Sequence, residues 1–236
     1  MARAGIPLLA VLIDADNSSP RWAEAIFDEI AALGEASVRR VYGDFSRDSM
    51  SGWEKKLAPL ALVPHFQPAN TVGKNSSDIA LVIDAMDLLH SGRFDGFVLI
   101  SSDSDFTRLA SRIREQGLDV YGIGQQKTPE AFRKACKRFI FVENILPEPE
   151  ADAKKAPRKA APADAVPLIR AAMATIDQDD EWFSLGPLGQ YITAANPDFD
   201  SRNYGCAKLS DLMRTAGPFE VRKGAGNTVL VRDTEA

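Results

Sequence analysis

The chain has 236 residues, room for one full α/β domain and a small second domain but not for a third. Hydrophobic residues at 45% and charged residues at 26% are ordinary for a globular fold, and a net charge of −5 excludes a basic nucleic-acid-binding domain by composition alone. Residues 1–146 hold 17 Lys and Arg against 19 Asp and Glu, so a polyanionic partner must be held by a local patch, by stacking, or through a cation.

The first predicted strand is Leu8 to Ile13, an unbroken apolar run of the kind buried on both faces of a parallel sheet. It is too short to span a bilayer and ends in Asp14 rather than a small-residue cleavage site, so neither a membrane segment nor a signal peptide is expected. Asp14, Ala15, Asp16 and Asn17 follow. Ser18 or Ser19 then caps a helix with Pro20 in its first turn, a stripe of Trp22, Ile26, Phe27 and Ile30, and Gly34 at its end. A strand over 37–45, a short helix from Trp53 to Leu57 and a strand from Leu62 to Phe66 come next.

Residues 76–90 are strongly helical. At about 100° per residue, Asp78 falls within the arc of Ile79, Leu81, Val82, Ala85, Met86 and Leu89, while Asp84 and Asp87 point away and read as a solvated face. A carboxylate in the first turn of a buried face is either an N-terminal cap after Ser76 and Ser77 or a charge that needs a partner. The most informative stretch is residues 96–106, GFVLISSDSDF. A buried strand over Phe97 to Ser101 runs into Ser102, Asp103, Ser104 and Asp105 before a helix from Phe106 to Gln116. A strand LDVYGIG, a helix from Pro129 to Lys137 and a last strand FIFVE complete the alternation, which predicts an α/β sandwich with a mostly parallel sheet.

Residues 147–165, rich in Pro, Ala and mixed charge, read as a flexible linker. From residue 166 to 236 the pattern restarts. Helices are expected through Ile176, from Pro187 to Ala195 and from Cys206 to Ala216, followed by strands FEVR and TVLVR around the turn Gly224 to Asn227. That order is a winged helix, a module that commonly binds nucleic acid or protein.

Several signals lead nowhere. TVGKNSS lacks the Gly and Ser/Thr of a P-loop where Pro68 and Asn75 stand, and Gly122 and Gly124 read as turn formers rather than a dinucleotide fingerprint. His65 and His90 have no nucleophile to serve, and Cys136 and Cys206 have no ligand spacing, which fits a reducing, cytoplasmic setting without zinc or disulfides. What remains is Asp14 and Asp16 after the first strand, Asp78 at a helix start, and Asp103 and Asp105 after the fourth strand. If the sheet places strands one and four side by side, these five converge on the crevice where open α/β sheets bind ligands. Clustered carboxylates suit Mg²⁺ or Mn²⁺, and the reaction they predict is metal-dependent phosphodiester hydrolysis. Asp14 and Asp103 would be direct ligands, with Asp78 and Asp105 as ligands or holding the attacking water. The D-x-D spacing of Asp14 and Asp16 also admits an aspartyl phosphatase.

Residues 8–146, with IDADN at 13–17, NSSDIALVIDAMDLL at 75–89 and SSDSDFTRL at 101–109, closely resemble the NYN domain, a relative of the PIN-type ribonucleases. The resemblance implies a three-layer α/β/α fold and a Mg²⁺- or Mn²⁺-dependent endoribonuclease site. The family's acidic positions fall on Asp14, Asp78, Asp103 and Asp105. Asn17 is the polar companion of the first acid, and Asp16 and Ser102 stand in support. Residues 181–213 resemble the OST-HTH or LOTUS module through Leu185, Gly186, Leu188, Gly189, Pro197, Phe199, Tyr204, Gly205, Lys208 and Leu209, which implies a domain that binds RNA or docks protein partners. Candidate RNA contacts in the first domain are Arg39, Arg40, Arg47, Lys55, Lys56 and Lys74. Tyr42, Phe45 and Trp53 are candidates either for base stacking or for the core. In the second domain the candidates are Arg202, Lys208, Arg214, Arg222 and Lys223. The expectation is a ribonuclease with an RNA- or partner-selecting module; the alternative is a non-catalytic RNA-binding adaptor with the same fold.

Overall fold

A computed structural model describes residues 5–66, 76–146, 159–178 and 180–235. The chain divides into two compact units, 1–148 and 149–236. In the first unit the strands are β1 Leu8–Asp14, β2 Glu35–Gly43, β3 Val63–Phe66, β4 Gly96–Ile100, β5 Asp119–Gly124 and β6 Arg138–Phe141, and the helices are α1 Ala23–Ala31, α2 Ser51–Leu57, α3 Ser76–His90, α4 Thr107–Glu115 and α5 Glu130–Ala135. The six strands form one sheet in the order β3-β2-β1-β4-β5-β6, every pairing parallel.

Alternation along the strands explains the layers. Leu9, Val11 and Ile13 of β1 face one side, where Trp22 of the 3-10 turn Pro20–Trp22, Ile26 and Ile30 of α1 and Trp53 of α2 pack. Ala10 and Leu12 face the other, where α3, α4 and α5 bring Leu81, Ala85, Leu88, Ile113 and Phe132, joined by Phe106 from the 3-10 turn before α4. A strand apolar at every position is thus one buried on both faces. The strand order reverses direction between β1 and β4, which pair with Ile13 opposite Ile100, so both strands leave the sheet at the same edge.

Gly122 and Gly124 lie inside β5 rather than in a turn. A Cβ at Gly122 would stand 2.4 Å from the Phe139 ring and 2.8 Å from Cys136 Sγ, so these glycines let the sheet and α5 pack closely. Cys136 and Cys206 are both buried free thiols, and burial pushes that of Cys136 up to about 12. Among the described residues no helix is long and apolar enough to cross a membrane.

The face of α3 differs from the sequence expectation. Its buried residues are Ser77, Leu81, Ala85, Leu88 and Leu89, while Ile79 and Ile83 are exposed. Asp84 is not solvated: it accepts hydrogen bonds from Arg40 and from the Tyr42 hydroxyl, with His65 Nδ1 3.8 Å away. The helix is rotated from the arc that hydrophobicity alone indicates because β2 offers a guanidinium and a phenol to a carboxylate on this side, and a half-buried charge so paired is tolerated.

In the second unit the elements are α6 Val166–Thr175, β7 Phe183–Ser184, α7 Leu185–Ala195, α8 Leu209–Thr215, β8 Phe219–Lys223 and β9 Val229–Asp233, with the sheet order β7-β9-β8, antiparallel. The hairpin and helices follow the winged-helix expectation. Residues 159–165, expected in the linker, are instead folded: the Ala160 N–H donates to Asn203 O at 3.0 Å, Pro162–Ala165 forms a 3-10 turn, and Ala165 is buried. Residues 147–158 lie outside the described ones. The 3-10 turn Ser201–Tyr204 ends at Gly205, whose φ of 74° is one that a side chain resists, which gives the Tyr-Gly pair its reason.

Candidate active site

Each acid of the crevice owes its position to a local feature. Asp14 closes β1 and is 1% exposed, accepting from Ser101 Oγ at 2.7 Å and from the Asn17 N–H at 3.2 Å. Burial pushes its carboxyl up from the ordinary 3.8, against the lowering effect of Ser101 and Asn17. The Asp103 N–H donates to Ser101 Oγ at 3.0 Å, so one hydroxyl links the exits of β1 and β4. Asp103 caps the 3-10 turn Ser104–Phe106 by accepting from the Asp105 N–H at 2.9 Å. Asp16 accepts from Ser77 Oγ at 2.8 Å and thereby ties the β1 exit to the first turn of α3, which carries Asp78. Ser102 Oγ accepts from the Gln125 N–H at 2.9 Å and anchors the end of β5.

Asp14, Asp16, Asp103 and Asp105 lie near enough to Asp78 for their charges to act on it. Asp78 registers them: its carboxyl is pushed up to about 6, first by desolvation and then by the charges of Asp14, Asp103, Asp16 and Asp105. Among the described residues no three His, Cys, Asp or Glu side chains are already set around a single ion. The donor set is nonetheless of the right chemistry. Hard carboxylate oxygens match Mg²⁺ or Mn²⁺, and Mg²⁺ characteristically takes one or two carboxylates and keeps several waters, so it needs no closed cage.

The candidate RNA contacts fare differently. Arg39 donates to Ala36 O at 3.1 Å and Leu60 O at 3.0 Å and lies over the Phe27 ring; Arg40 is paired with Asp84. Arg47 pairs with Asp44 at 2.9 Å and Lys56 with Glu24 at 2.7 Å. Lys55 is exposed, and Lys74 lies outside the described residues. Tyr42 and Trp53 are core residues, each 1% exposed, so neither offers a stacking face; Phe45 is half-buried. In the second unit Arg202 pairs with Asp200 at 2.7 Å and Arg214 with Asp211 at 3.1 Å. Arg222 lies 3.8 Å over the Trp182 ring, and Lys208 and Lys223 are exposed.

Sequence reasoning passed over Arg21 and Lys127. Both line a cavity of about 610 Å³ that shares Asp16 and Asp103 with the acid crevice. Lys127 sits just past the C-terminal end of β5, and the rule that ligands gather at that edge of the sheet was the signal that could have found it.

A protein of unknown function from Vibrio parahaemolyticus has a crystal structure similar to 60% of this chain and 96% of its own, at 18% identity and a TM-score of 0.50. That likeness speaks to the fold alone. An uncharacterized protein from Nitrosomonas europaea, solved by NMR, is 31% identical over 37% of this chain and 86% of its own, with a TM-score of 0.27. No curated protein matches the chain. The model of the NYN domain, a PIN-like nuclease family, matches residues 8–143, and the model of the OST-HTH/LOTUS domain, an RNA-binding module, matches residues 159–231. The chain belongs to the NYN domain family, with an OST-HTH/LOTUS domain following its NYN domain.

Proposed function

We propose that this protein is a divalent-metal-dependent ribonuclease that hydrolyses RNA phosphodiesters, with its second domain selecting the RNA or a protein partner. The observation that carries the reading is the accumulation of carboxylates from β1, α3 and the β4 exit around Asp78. Like charges so placed favour uptake of a cation or of protons. Asp14 and Asp103 are the residues we assign to Mg²⁺ or Mn²⁺. The ion, when bound, would lower the pKa of a bound water and stabilise the charge that develops on the phosphate.

The protein's own part is positional. Ser101 holds Asp14 and the Asp103 backbone together, and Asp103 in turn fixes the Asp105 N–H, so the two strand exits keep a constant separation. Asp78 is the half-buried acid whose carboxyl lies near 6. Deprotonated above that pH, it can accept a proton from, or orient, a water facing the phosphate. Asp16, held by Ser77, sets the position of α3 relative to β1.

An aspartyl phosphatase is not favoured. A nucleophilic Asp14 would need an oxygen free to align with a tetrahedral phosphorus, yet both its oxygens accept hydrogen bonds, which fix the carboxylate while leaving each oxygen a lone pair for a cation. The non-catalytic adaptor has one observation on its side, the lack among the described residues of three acids already set around an ion.

The test is incubation of the whole protein with labelled single-stranded RNA and Mg²⁺ or Mn²⁺, beside Asp103→Asn. Cleavage that requires both the ion and Asp103 is the expected result. Intact RNA under every condition, with RNA still bound, would hand the case to the adaptor.

A further inference from the structure

We propose that the cavity beside the acids is a subsite for one unpaired nucleotide adjoining the scissile phosphate, its base in the cavity and its flanking phosphates on Arg21 and Lys127. This deepens the ribonuclease reading and rests on it. The cavity measures about 610 Å³, within the 300–1,000 Å³ range of small-molecule sites, and suits a single nucleotide rather than a duplex. It adjoins the acids through Asp16 and Asp103, so a chain threaded through it passes directly into the crevice.

Three features of the wall point to a nucleotide. Arg21 and Lys127 are exposed, and among the described residues neither forms an ion pair, unlike Arg40, Arg47 and Lys56 in the same domain. Cations without an ion pair beside a cluster of carboxylates are placed for phosphate, which carboxylates alone would repel. Gln125 is anchored through its backbone N–H to Ser102, while its side-chain amide, a donor and an acceptor together, makes no hydrogen bond among the described residues. That is the chemistry that reads a base edge. Trp22, part of the same wall, is 5% exposed and backs the cavity with apolar surface, as is usual where a planar ligand is held. A base can enter such a cavity only when it is out of a stack, so the substrate is single-stranded RNA at this position.

The test uses the whole protein in EDTA, so that binding cannot depend on cleavage. A 4-thiouridine-containing RNA pentamer is photo-crosslinked and the adduct mapped by mass spectrometry, in wild type, Arg21→Ala, Lys127→Ala and Gln125→Ala. Adducts in peptides covering residues 17–22 or 125–129 are expected. The yield should fall about tenfold in Arg21→Ala and in Lys127→Ala, and the salt dependence of binding should lose about 0.7 of a log unit per log unit for each cation removed. Gln125→Ala should alter preference among the four bases while leaving the salt dependence unchanged. Adducts confined to residues 159–235, or yields unchanged in both cation variants, overturn the subsite. Mapped adducts in a protein that never cleaves RNA would keep the subsite and reject the nuclease, so the two failures are distinguishable.

Discussion

Two clusters of charge sit on the first domain, and α3 contributes to both. At its N-terminal turn Asp78 joins Asp14, Asp16, Asp103 and Asp105, all of one sign, and its carboxyl is pushed up to about 6. Less than two turns on, Asp84 receives the Arg40 guanidinium and the Tyr42 hydroxyl, and the burial that accompanies this contact, together with Asp84 itself, drives the Tyr42 phenol far above its ordinary value. The second cluster is compensated and holds β2 against α3. The first gathers carboxylates whose charges work against the ionisation of Asp78, and it makes sense as a site that takes up a cation. The difference separates charge used for structure from charge held ready for chemistry.

The largest effect expected from breaking this contrast is on activity. Asp14→Asn should lower metal-dependent cleavage about 10³-fold, the several kcal/mol that an ion-supporting carboxylate supplies, while the urea midpoint stays within experimental error of wild type or rises. A variant whose activity falls only in step with its stability would show the residue to be structural.

Asp84→Ala should do the reverse. It strands the Arg40 guanidinium and the Tyr42 hydroxyl, both partly buried, and should cost about 3 kcal/mol in urea unfolding. The fraction that remains folded should cleave RNA at a rate close to wild type.

Asp78→Asn comes next and is expected to stabilise. The unfolded chain releases this proton near 3.8 and the native protein near 6, so between those values the native state binds more protons and wild type loses stability as pH rises. The variant should therefore gain about 1 kcal/mol at pH 7, allowing for solvent screening of a half-exposed group, and nothing at pH 3.5. Equal stability at both pH values would contradict the crowding of carboxylates around it.

His65 gives the smallest effect. Burial lowers its pKa below 6.5 despite Asp84 nearby, so the unfolded state takes up the proton first and stability is lost as pH falls through 6.5. In His65→Phe the loss between pH 7.5 and 5.5 should shrink, read as a smaller difference between the two urea midpoints.

Much of this was legible in the sequence because it is local. An apolar strand ending in acids, a serine-rich turn before a helix, and alternation of strands and helices each appear within about ten residues, and the 3-2-1-4-5-6 strand order then brings Asp14 and Asp103 to one edge. The pairing of Asp84 was not legible. It depends on which β2 residues face α3, a juxtaposition of residues 40 and 84 that periodicity along either element cannot contain. The fate of the arginines was hidden for the same reason: Arg39 and Arg40 look alike as neighbours in sequence, yet alternate faces of β2 send one to Leu60 O and Phe27 and the other to Asp84. Residues 159–165 have the composition of a linker and fold only because Asn203 and the core around Ala165 receive them. The two-residue strand Phe183–Ser184 is too short to signal itself and exists through its pairing with β9.

The most direct test of the central claim is the melting temperature of wild type and Asp103→Asn, with and without Mg²⁺ or Mn²⁺, from pH 4 to 8. Ion and proton compete for the same carboxylates, so the account predicts a metal-induced rise in wild type that is large above pH 6, fades below it, and is much reduced in Asp103→Asn. A wild-type melting temperature that metal leaves unmoved at every pH would contradict it.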